Sequence, residues 1–135
     1  MSSTNATRDT ALYAQETPNP EALAYPFESI VTDLYDITPR PIIGHESAPI
    51  ANFPNNIETY FWTHEGSNDD ESWYCLCKLM NGSYVYYTAR CDYTGFDCQG
   101  EMILWSSNDP ATLIQYAMGE YDYALYRLEC LVRVG

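Results

Sequence analysis

The apolar pattern is richest over residues 73–91, where two β-rich runs flank Asn81-Gly82. Asn-Gly accepts the positive φ that both central positions of a type I′ turn need, so the segment is predicted to be a β-hairpin with strands over 73–80 and 83–91. A two-residue loop would set Met80 opposite Ser83, Cys77 opposite Tyr86, Cys75 opposite Thr88 and Trp73 opposite Arg90. Side chains alternate across a strand. Trp73, Cys75, Cys77, Leu79, Tyr84, Tyr86, Thr88 and Arg90 are therefore expected on one face. Tyr74, Leu76, Lys78, Met80, Val85, Tyr87, Ala89 and Cys91 are expected on the other. Both faces are largely apolar, which predicts cover on both. Arg90 against Trp73 would make a cation–π pair worth about 1 kcal/mol.

Around this hairpin the pattern predicts a strand over 58–64 and an acidic loop over 66–71. A short strand over 102–105 follows a break at Gln99-Gly100. Asp109 suits a helix N-cap and Pro110 the first helical position. Leu113, Ile114 and Ala117 would form that helix's buried stripe, with Gly119 at its C-cap. Tyr121, Ala124, Leu125, Leu128 and Val132 then recur at helical spacing. A final strand over 128–134 is the competing reading of that segment.

Residues 1–56 differ from the rest. Seven of the eight prolines lie between Pro18 and Pro54, yet the stretch carries apolar anchors such as Leu12, Leu23, Tyr25, Phe27, Ile30, Leu34, Ile50 and Phe53. A short helix over 28–36 fits one cluster of them. The organisation expected is a Pro-rich extended arm over 1–56 and a small α+β domain over 57–135. The domain would be an antiparallel sheet built on the central hairpin, with C-terminal helices on one face. On this reading the domain folds without residues 1–55.

Composition narrows the partners. Six basic residues against nineteen acidic ones give a net charge of −13, and Lys78 is the only lysine. Such a surface repels nucleic acid, so no direct nucleic-acid binding is expected. It suits solubility, docking on a basic protein, or imitation of a phosphate backbone. No apolar run reaches the ~18 residues of a membrane span. The N-terminal stretch MSSTNATRDT lacks the apolar core of a signal peptide, so an intracellular or virion location is expected. Without a secretory route, the sequons at Asn5 and Asn81 read as chance matches.

Five cysteines raise a zinc reading through Cys75, Cys77, Cys91 and Cys98. Their spacing departs from the usual knuckle, and the expected register puts Cys91 on the opposite face from Cys75 and Cys77. Buried thiols that pack as small hydrophobes are the competing reading. A Cys91–Cys98 disulfide would need an oxidising compartment. Between those two cysteines, Asp92, Thr94 and Asp97 supply too few oxygens for calcium, which takes six to eight. The same loop could close on its own amides, or present Tyr93 and Phe96 as binding anchors. Asp92, Asp97 and the acidic cluster Asp69, Asp70 and Glu71 join those aromatics as candidate interaction residues. No cofactor is expected.

The run Cys91-Asp-Tyr-Thr-Gly-Phe-Asp-Cys98-Gln99, with W-Y-C-L upstream and L-I-Q-Y-A-M downstream, resembles a group of small proteins of large DNA viruses and some bacteria. The likeness covers residues 60–123. It implies a viral origin and an assembly or host-facing role, and it assigns no activity to any residue.

Neither His45 nor His64 falls in a hydrolase, metalloprotease or nucleotide-binding motif. A Cys–His dyad would need His64 beside Cys75, Cys77 or Cys98. The leading expectation is a non-enzymatic protein–protein interaction or assembly component, such as a minor subunit of a virus particle, using its N-terminal arm. An acidic inhibitor or adaptor on a basic, nucleic-acid-binding partner is the second expectation. A thiol- or zinc-dependent enzyme is the third.

Overall fold

The structure, a computed structural model, describes residues 8–15, 37–66, 72–93 and 98–131, without the side chains of Ile37, 91–93 and 98–101. The helix expected over 28–36 and the acidic cluster Asp69, Asp70 and Glu71 lie outside the described residues, as do Thr94, Phe96 and Asp97.

Among the described residues, five strands form one sheet: β1 (Ile37–Pro39), β2 (Ile57–His64), β3 (Trp73–Leu79), β4 (Tyr84–Tyr93) and β5 (Cys98–Ser107). Their spatial order is β1-β5-β4-β3-β2. The sheet is mixed rather than antiparallel, because β1 joins β5 in parallel, with Ile37 opposite Met102. Helix α1 (Pro110–Thr112) widens into a π-helical turn (Leu113–Ala117), and α2 (Glu120–Tyr126) into a second one (Arg127–Leu131). The C-terminal segment is thus helical through Leu131, and the strand reading of 128–134 is set aside to that point.

The β3–β4 hairpin forms with a different loop. Leu79 N–H donates to Ser83 O at 2.7 Å and Gly82 N–H to Leu79 O at 3.0 Å, which makes Met80-Asn81-Gly82 a three-residue loop. Gly82 takes φ +93°, the left-handed position such loops give to glycine. Asn81 Oδ1 accepts from Ser83 N–H at 2.9 Å. The register is therefore one residue off the expected one: Trp73 pairs with Ala89, Cys75 with Tyr87 and Cys77 with Val85. A one-residue slip turns a whole strand over. Val85, Tyr87 and Ala89 share a face with Trp73, Cys75, Cys77 and Leu79, while Tyr86 joins Tyr74 and Leu76 on the other. The expected Arg90–Trp73 pair does not form: Arg90 is exposed and sits opposite Glu101.

Both faces are covered, as their apolarity predicts. On one, Trp73, Cys75, Cys77, Leu79, Val85, Tyr87, Ala89, Met102 and Leu104 pack with Ile50, Phe53, Ile57 and Tyr60. Residues 48–56 are tied there by the Ser106 hydroxyl, which donates to Ala48 O at 2.7 Å, and by Met80 N–H to Asn56 O at 2.8 Å. On the other face, Leu113, Ile114, Met118 and Tyr126 pack on Phe61, Trp62, Tyr74, Leu76 and Tyr86. A bulge between Tyr60 and Trp62 sends the neighbours Phe61 and Trp62 into the same cluster.

Asp109 caps α1 as expected, its carboxylate accepting from Ala111 N–H at 3.0 Å with Pro110 at the first helical position. Gly119 is not a left-handed C-cap. The chain leaves the π turn through Met118 in extended conformation, and Gly119 (φ −70°) begins α2. Of the expected stripe on α2 and the turn after it, Leu125 packs on the helix-face cluster, but others turn outward. Tyr121 and Leu128 are 68% and 61% exposed. Tyr126 goes inward instead, where it meets the Trp62 ring edge-on at 5.4 Å. Two polar ties hold that rotation: the Tyr86 hydroxyl donates to Asp122, and the Trp62 N–H to Glu129.

Candidate functional site

The register places the cysteine-bracketed motif on a β-ribbon. β3 ends its pairing with β4 at Trp73–Ala89, but β4 continues against β5 for four more residue pairs. These are Arg90–Glu101, Cys91–Gly100, Asp92–Gln99 and Tyr93–Cys98. At the rise of a strand, four residues extend about 14 Å. Asp92 and Tyr93 are thus strand residues rather than loop residues, and β5 runs straight through the expected break at Gln99-Gly100. A β-branched and aromatic run, YVYYTARC, favours the extension.

The topology starts two connections, each acidic in sequence, from one end of the sheet. The β2–β3 connection and the β4–β5 tip leave the sheet at the same end, opposite the Met80–Gly82 turn. Residues 65–72 and 90–101 together carry Glu65, Asp69, Asp70, Glu71, Asp92, Asp97 and Glu101, with Arg90 the one basic residue. Charge of one sign at one end of a sheet attracts a cationic partner and repels an anionic one.

The thiols sort differently. Cys75 and Cys77 are fully buried side by side on β3. A side-chain hydrogen bond with Cys75, and then burial, hold the Cys77 thiol well above its ordinary pKa. A protonated, enclosed thiol is a poor nucleophile and packs as a small hydrophobe. Cys91 lies four residues along β4 from Tyr87, the partner of Cys75, a separation of about 14 Å, whereas a zinc–sulfur bond is about 2.3 Å. Cys91 and Cys98 are diagonal rather than opposite, since their partners are Gly100 and Tyr93. Diagonal positions are about 7–8 Å apart, beyond the usual disulfide reach. Among the described residues, no group of three or more His, Cys, Asp or Glu side chains is placed to hold a metal ion.

His64 ends β2 as expected, and its carboxylate partner is Glu129. Its Nδ1 lies 2.9 and 3.0 Å from the two carboxylate oxygens. Trp62 Nε1–H donates to the same Glu129 at 2.9 Å, and the rings of Trp62 and Tyr74 stack at 5.1 Å. His64 pairs with Tyr74, and Thr63 with Cys75, so the sheet itself separates His64 from Cys75 and Cys77. Those two thiols make no dyad with it. Glu129 and Arg8 carry no signal in the sequence: each meets partners at least 65 positions away.

Burial gives the interior a pH limit. It raises Tyr60 and Tyr126, and it holds Tyr86 and Tyr87 well above the ordinary phenol value of 10.0. For Tyr86 the Asp122 charge adds to burial. A raised acid stays protonated in the folded chain while the unfolded chain ionises first. Stability is therefore full below the ordinary values and falls as pH rises past them. For Cys77 that fall begins near 9.0, and for the tyrosines near 10.0. Alkaline titration should show tyrosinate absorbance and loss of circular dichroism rising together. Tyrosinate forming in full before the fold is lost would contradict this packing.

Comparison of the chain with family models, with curated proteins and with solved structures finds no match.

Proposed function

We propose that the protein is a non-enzymatic interaction component of a larger assembly, which docks on a basic protein through the ribbon end of its sheet. The observation that carries this reading is the β4–β5 ribbon. It runs four residue pairs past β3 and leaves the sheet at the end where the acidic β2–β3 connection leaves it. A two-stranded extension gives a binding tip rigid support, and Asp92, Asp97, Asp69, Asp70 and Glu71 supply a field complementary to lysine and arginine. Tyr93 and Phe96 are the aromatic anchors of that tip. A minor subunit of a virus particle is one assembly of this kind. An adaptor that fills a basic, nucleic-acid-binding groove is the second reading, favoured by the same charge.

Capture of the tagged chain from its native source tests this, beside a variant carrying Asp92→Asn, Asp97→Asn and Tyr93→Ala. A stoichiometric basic partner should accompany the wild-type chain, leave it as salt rises, and be lost by the variant. A partnerless monomer, or a partner held equally by both chains at high salt, would overturn the proposal.

A further inference from the structure

Residues 8–15 lie on the helix face in a manner that resembles a bound peptide more than a turn of the fold. Arg8 Nη1 donates to Ile114 O at 2.9 Å and to Met118 O at 2.8 Å. Its backbone N–H donates to Gln115 Oε1 at 2.9 Å, and its guanidinium carbon sits 4.8 Å from the Tyr123 ring centroid. Further along, Asp9 N–H donates to the Tyr123 hydroxyl and Ala11 O accepts from the Tyr126 hydroxyl. Leu12 packs on the apolar cluster beneath the helices. Gln15 N–H donates to Tyr60 O at 2.7 Å, at the outer edge of β2, and Gln15 Oε1 accepts from the Thr63 hydroxyl.

The chemistry of the pocket is specific. Carbonyls at the C-terminal end of a helical turn carry partial negative charge and need donors. A guanidinium supplies several in a fixed fork and also stacks on an aromatic face. A lysine would meet the carbonyls with a compact charge and lose the fork. An apolar residue four positions on then enters the cluster where Leu12 sits.

We infer that the cleft between the Leu113–Ala117 turn, α2 and the edge of β2 is a binding site for an extended peptide of the pattern Arg-x-x-x-Leu, which this chain fills with its own residues 8–15. The cleft is on the helix face and shares no residue with the ribbon end. Its occupant is held in cis through residues 16–36, so self-docking enjoys a high effective concentration. An outside peptide should bind the intact chain roughly 100-fold more weakly than a chain whose own segment is unlatched.

The probe is a labelled peptide of residues 8–15, RDTALYAQ, added to the full-length chain and followed by fluorescence anisotropy. Arg8→Ala in the protein should open the cleft and admit the peptide. The wild-type protein should exclude it, and a peptide with Arg8 replaced by alanine should bind neither. A folded Arg8→Ala protein that takes up no peptide, or takes up both peptides alike, would overturn the inference. Should Arg8→Ala fail to fold, Arg8→Lys keeps the charge without the fork and should admit the peptide partially. Folding of either variant restored by the peptide also supports the inference. A chain that folds with neither substitution and is not rescued would make residues 8–15 an inseparable part of the fold.

Discussion

Trp62→Ala is expected to unfold the chain or leave it close to its midpoint at room temperature. Trp62 is 1% exposed and contacts the sheet and α2 at once. Its ring stacks on Tyr74 at 5.1 Å and on Tyr86 at 6.4 Å, and meets Tyr126 edge-on at 5.4 Å. Truncating a buried tryptophan to alanine costs about 3–5 kcal/mol, against a total of about 5–15 kcal/mol for a domain. Trp62→Phe separates the two roles of the side chain. It keeps most of the ring and loses the N–H that Glu129 accepts at 2.9 Å, a bond to a charged group worth about 1.5–3 kcal/mol. Urea unfolding followed by circular dichroism should rank wild type above Trp62→Phe, and Trp62→Phe above Trp62→Ala. In a double-mutant cycle, Trp62→Phe and Glu129→Ala should be less than additive, because each removes the same bond. Additive losses would mean that the Arg127–Leu131 turn is held on β2 by packing alone.

How far the fold can be read from the chain depends on whether a local rule decides each feature. Asn81-Gly82 marks the hairpin because glycine at φ +93° is a local demand. Asp109-Pro110 marks the start of α1 for the same reason. The register does not follow, since loops of two and three residues differ only in whether Leu79 or Met80 pairs with Ser83. Both are apolar, and both hairpin faces are apolar too, so alternation cannot choose between them. The same limit explains α2. Tyr121, Ala124, Leu125, Leu128 and Val132 make as good a stripe as Tyr123 and Tyr126, though of them Leu125 packs inward. Only the distant partners Tyr86 and Trp62 decide which side turns inward. At the candidate site, the motif around Asp92 and Tyr93 is legible as a feature. Its place on a ribbon four pairs beyond the sheet depends on long-range pairing with β5.

Removal of residues 1–56 carries the second large expected effect, and here the geometry and the simplest reading of composition part. A Pro-rich arm suggests a domain over 57–135 that folds alone. Yet residues 37–56 supply an edge strand, β1, and the side chains of Ile50 and Phe53, which pack on one face of the sheet. That face carries Trp73, Leu79, Val85, Tyr87, Met102 and Leu104, each no more than 3% exposed. Exposing a buried side chain of this size forfeits about 1.5–3 kcal/mol. Three or four such losses match most of the stability of a domain. Residues 57–135 expressed alone should therefore show poor amide dispersion and no cooperative melt. Removal of 1–7 touches none of the contacts described above and should leave a cooperative melt. A cooperative melt from 57–135 would establish that the sheet tolerates one bare face, and would free the whole arm for a partner. The distinction matters for any assembly experiment. A truncation that loses both partner and fold says nothing about the docking surface, whereas substitutions at Asp92, Tyr93 and Asp97 are confined to the ribbon end, beyond the last β3–β4 pair.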